Sequence, residues 1–118
     1  MNIENKKLRI GYSTITIKKQ AGQFIKDNMT DNYGQFLPRE NRIEIQPDLV
    51  CADEANTLLH EILHSCVWVS SLNQEGQPLH GTNEEELVVN SFANNLIQIF
   101  IDNEWLLLYL TENLKRKI

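Results

Sequence analysis

His60, Glu61, Ile62, Leu63 and His64 form an H-E-x-x-H segment that holds two of the chain's three histidines. On a helix, residues four apart lie one above the other, so both imidazoles can reach a single metal ion. Glu61 lies about 100° round from His60, beside such an ion rather than on it. Its carboxylate is placed to act as general base on a zinc-bound water, whose pKa zinc lowers from about 15.7 to about 7. The expected chemistry is hydrolysis of a peptide bond, with Glu61 passing the proton on to the leaving nitrogen.

A catalytic Zn²⁺ takes three protein ligands and keeps a fourth position open. The third ligand is sought downstream, among Glu86, Glu85 and His80. His80 follows Gly76 and Pro78 in a loop, whereas Glu84, Glu85 and Glu86 open the next helix, where acidic residues also offset the helix dipole. Glu86 is favoured because it shares a helical stripe with Asn90, Ala93 and Ile97, and Ala93 permits close helix approach. An oxyanion partner is also expected, with Tyr12, Tyr33, Tyr109 and His80 all eligible. An extended substrate would pair with an edge strand, for which Arg42, Ile43, Glu44 and Ile45 are the sequence's best candidate.

The elements that must position these residues follow from periodicity. Residues 8–46 read as strands. Leu8, Ile10 and Tyr12 alternate with polar residues, then Ile15 and Ile17 do so in the other phase, which predicts one long strand bent or bulged near Ser13. Two short strands follow, around Tyr33 to Leu37 and Arg42 to Ile45, with Pro38, Arg39, Glu40 and Asn41 as the turn between them. The segment 21–32 is polar with weak preferences. A helix is predicted over 53–69, capped by Asp53 and apolar over most of its circumference. A second helix spans 84–101, with Thr82 or Asn83 as cap, and Asp102-Asn103 ends it. A third runs over 104–115, and its run 105–110 is apolar all round, which predicts a wedge into the core or, failing that, a contact with another chain. The fold class is therefore α+β, with about three mostly antiparallel strands and three helices in one domain of 118 residues.

The segment Thr57-Leu58-Leu59-His60-Glu61-Ile62-Leu63-His64, followed by Glu86-Leu87-Val88-Val89-Asn90-Ser91-Phe92-Ala93, resembles the minimal gluzincin-type zinc metallopeptidases. It is particularly similar to small phage and prophage proteins related to the ImmA/IrrE peptidases. There, a helical H-E-x-x-H precedes a helix reading E-x-x-A-N-x-F-A, whose first glutamate is the third ligand. The resemblance implies His60, His64 and Glu86 as ligands and Glu61 as general base, and it extends to Ile10-Gly11-Tyr12, Tyr33-Gly34 and Asp102-Asn103. Val89 stands where the family usually has alanine, and no helix-turn-helix region is legible. SprT-like peptidases are a competing relative, with His80-Gly81 near the spacing of their downstream histidine and glycine. Val67 and Ser70 exclude the metzincin pattern, and Cys51, nine residues before His60 without glycine flanks, does not fit peptide deformylase.

Composition narrows the partners. The net charge of −5 gives no general hold on nucleic acid or anionic lipid. No apolar run approaches the roughly 20 residues of a membrane span, and the opening residues lack a signal-peptide core. A cytoplasmic protein with a protein or peptide substrate is expected, and Cys51 and Cys66 suit a reducing compartment. Two competing readings remain: a catalytically silent zinc module closed by His80 together with Glu86, and a metal-free helical interaction protein using 105–110.

Overall fold

The computed structural model describes residues 1–20 and 33–115. The polar segment 21–32 and the basic residues Arg116 and Lys117 lie outside them. Four strands and three helices result, an α+β fold.

Strands β1 (Lys7–Ile10) and β2 (Ser13–Lys19) pair antiparallel, with Leu8 opposite Ile15 and Ile10 opposite Ser13. The phase slip at Ser13 is therefore a hairpin, not a bulge. Gly11 turns the chain at φ +58°, and a Cβ there would also overlap Val69, so glycine meets two demands at once. Strands β3 (Gly34–Leu37) and β4 (Arg42–Ile45) form the second hairpin, as expected. Its turn is one 3-10 turn over Pro38–Glu40 and a left-handed Asn41.

The sheet order is β1-β2-β4-β3, and β2 runs parallel to β4. The sheet thus has four strands, close to the expected three, and is mixed. The order corrects the expected substrate strand: Arg42–Ile45 is central, flanked by β2 and β3, and β3 is the outer strand beside it. Ile15, Ile17, Ile43 and Ile45 are at most 2% exposed, and Leu8, Ile10, Phe36, Leu58 and Ile62 pack around them. Branched side chains suit this pleated, fully covered face.

Helix α1 (Cys51–Val69) lies on that face through Leu58 and Ile62. It starts at Cys51, two residues before the expected start, with Val50 as N-cap, so Asp53 is a first-turn residue rather than the cap. Glu54 meets Lys19 at 2.7 Å, tying the helix start to the end of β2. The helix is less enclosed than its apolar surface predicts: Cys66 is exposed, and only Glu61, Ser65 and Val67 are buried.

Helix α2 (Thr82–Asp102) packs antiparallel on α1, since Glu86 lies beside His64 while Asn56 donates to Asn94 at 3.5 Å. Val89 and Ala93 are buried in α2, so the close approach expected at Ala93 is present. Gly81, not Thr82 or Asn83, is the N-cap, and no side chain caps it. After the break at Asn103, helix α3 (Glu104–Asn113) has no buried residue. The run 105–110 is therefore not a core wedge. No helix of the described residues is long and apolar enough to cross a membrane.

Candidate metal centre

The antiparallel packing of α1 on α2 brings the first turns of α2 against the middle of α1. His60 Nε2 and His64 Nε2 lie 3.2 Å apart, His64 Nε2 is 3.0 Å from Glu86 Oε1, and His60 Nε2 is 3.2 Å from that same oxygen. Among the described residues these three form a group able to hold a metal ion. Four ligands at 2.0–2.1 Å from a tetrahedral ion sit about 3.3 Å apart, and octahedral neighbours at the same bond length about 3.0 Å. The observed triangle therefore matches one face of a small divalent ion's shell.

Glu85 and Glu86 divide two tasks. Glu85 Oε2 lies 2.6 Å from His64 Nδ1, the ring nitrogen turned away from the triangle. A carboxylate there accepts the Nδ1 proton, which fixes the ring and leaves Nε2 as the coordinating atom. Glu85 thus stands behind His64, not within the triangle of donor atoms. Without a metal, the cluster is held by charge. Burial depresses the His64 pKa, but hydrogen bonds to Glu86 and Glu85 and the negative charges of Glu61 and Glu86 outweigh it and raise it to about 9. The same contacts with His60 and then His64 hold the Glu86 carboxyl far below the ordinary carboxylate range.

Glu61 is 6% exposed on the sheet side of α1. There β3 passes close to the helix because residue 34 is glycine. A Cβ on Gly34 would stand 2.8 Å from both the Glu44 carbonyl oxygen and Thr57 Cγ2, and 3.6 Å from Glu61 Cγ. The Ser65 hydroxyl, fully buried, donates to the Glu61 carbonyl at 2.9 Å, one turn further on. The approach of β3 to Glu61 is not legible in the sequence. The pairing of Tyr33 with Gly34 was visible, but not what Gly34 faces.

The other candidates fall elsewhere. His80 is exposed in the loop between α1 and α2 and is outside the three-residue group. Cys51 opens α1, about 13 Å along the axis from His60. Of the oxyanion candidates, Tyr12 is in the β1–β2 turn and 74% exposed, and Tyr109 is on the outer surface of α3. Tyr33 directly precedes Gly34 and so enters the strand that borders Glu61.

No protein-family model matches the chain, and no curated protein or solved structure shows significant similarity to it.

Proposed function

We propose that the chain is a zinc metallopeptidase of the gluzincin type, using His60, His64 and Glu86 as ligands and Glu61 as general base. The observation that carries the reading is the convergence of three donor atoms at 3.0–3.2 Å with a buried glutamate next to the first of them. When bound there, zinc polarises a carbonyl oxygen and acidifies water. Glu85 orients the His64 ring. Glu61 takes a proton from the attacking water and returns it to the departing amide nitrogen. A peptide in extended form would pair with β3, the outer strand nearest Glu61, bringing its backbone past the carboxylate. The silent-module alternative requires a closed fourth ligand, and His80 stands outside the group that would need it.

The test is Glu61→Gln, assayed on a quenched-fluorescent peptide library beside elemental analysis. Hydrolysis should fall by about 10²–10⁴, with metal content unchanged. Equal hydrolysis by the variant, or loss of its metal, would overturn the role given to Glu61. A metal-loaded chain that cleaves nothing would favour the silent module.

A further inference from the structure

Charge is divided unevenly along the chain. Residues 46–114, which include both helices of the metal centre, hold 11 Asp and Glu residues and no Lys or Arg. At the centre itself, Glu61, Glu85 and Glu86 outnumber the two charges of a divalent ion, so the site stays anionic when loaded. Asp53 extends this field along a groove. On the wheel of α1 it falls about 20° from both His60 and His64. It lies between Thr57, which borders Gly34 of β3, and Asn56, which reaches Asn94 of α2. It is exposed and stands about 10 Å from His60 along the axis, towards the start of α1. Lys19, at that end, is already bound to Glu54 at 2.7 Å.

The edge of β3 beside this groove is open to a peptide strand. Gln46 N–H donates to the Tyr33 carbonyl, so by antiparallel alternation the N–H and C=O of Gly34 and Phe36 point away from β4. Among the described residues no strand pairs there, and Gly34–Leu37 carries no charge, whereas the opposite edge strand bears Lys7 and Arg9. Strand β2 runs from the turn at Gly11, beside Val69, to Lys19, beside Glu54, and hence opposite to α1. Since β4 is parallel to β2 and β3 antiparallel to β4, β3 runs with α1. A peptide antiparallel to β3, the more stable pairing, therefore carries its C-terminal side towards Asp53.

We infer that the substrate segment is basic, with a Lys or Arg on the C-terminal side of the scissile bond set against Asp53. This substrate class rests on the metallopeptidase reading above. About 10 Å of helix against about 3.4 Å per residue of extended peptide puts that cation about two to four residues beyond the bond.

The test uses peptides that differ only in carrying Lys, Gln or Glu at each position in turn. Mass spectrometry of the wild-type digest places the scissile bond. Binding is read separately, by fluorescence anisotropy with zinc-loaded Glu61→Gln. In about 50 mM NaCl, Lys at the stated positions should bind about two- to fivefold more tightly than Gln, and Glu more weakly, with the difference shrinking at about 300 mM. Asp53→Asn in the Glu61→Gln background should erase the preference and Asp53→Lys should reverse it, with zinc content kept, because Asp53 is outside the triangle of donor atoms. Cleavage and binding indifferent to charge, or a preference that neither Asp53 variant moves, would overturn the inference and leave the peptidase reading standing. The expected order of binding without any cleavage by the wild type would overturn the peptidase reading and keep the basic-segment site. A Lys preference confined to the N-terminal side would overturn the antiparallel direction.

Discussion

In metal-free protein the cluster should make stability fall as pH rises. His64 ordinarily titrates near 6.5 and does so here at about 9. Burial opposes its charge, but the hydrogen bonds to Glu86 and Glu85 and the charges of Glu61 and Glu86 prevail. The folded chain therefore holds more protons than the unfolded one between these two values. The stabilisation is complete below about 6.5 and is lost as pH climbs through about 9. At 1.36 kcal/mol per pKa unit, the interval corresponds to about 3 kcal/mol. The low pKa of Glu86 reports the same contacts from the other side, and that side chain is 46% exposed, so it is not added. The assay is urea unfolding in EDTA at pH 6 and pH 9.5, where the midpoint should drop by roughly 1–3 M at the higher pH. Zinc displaces the proton, so metal affinity should instead rise with pH up to about 9. A metal-free midpoint that is flat or rises across this window would refute the His64–carboxylate network.

Two further substitutions probe the supports of the site. Glu85→Gln should weaken zinc about 10- to 100-fold in a competition titration with a chromophoric chelator, because the ring behind His64 Nε2 loses its charged partner; an unchanged affinity would remove Glu85 from the site. Gly34→Ala should cost about 1–3 kcal/mol in urea unfolding, since the added methyl meets the Glu44 carbonyl and Thr57 at 2.8 Å; a neutral result would mean that β3 does not need its close approach to α1.

How much of this could be read from the sequence depended on the range of the interaction. The alternation of Ile15 with Ile17 and Ile43 with Ile45 marks the inward residues, and all four are at most 2% exposed. It does not say which strands are neighbours, so the parallel β2–β4 pairing and the outer position of β3 became visible only in three dimensions. Asp53 has the chemistry of a cap, yet Val50 caps a helix that begins at Cys51, with Glu54 held by Lys19 from another element. In α3 every residue of 105–110 is apolar, so no stripe distinguishes inside from outside, and burial could not be read. The four-residue spacing of His60 and His64 is local and legible. Glu85 and Glu86 are only 100° apart on α2, and which nitrogen of His64 each one meets depends on how the two helices pack.

The central claim is that His60, His64 and Glu86 hold a metal ion. Elemental analysis of the wild type beside Glu86→Ala, both exposed to excess zinc and then desalted, addresses it most directly. One zinc per chain in the first and almost none in the second is the predicted result. Equal zinc in both, or none in the wild type, would contradict it.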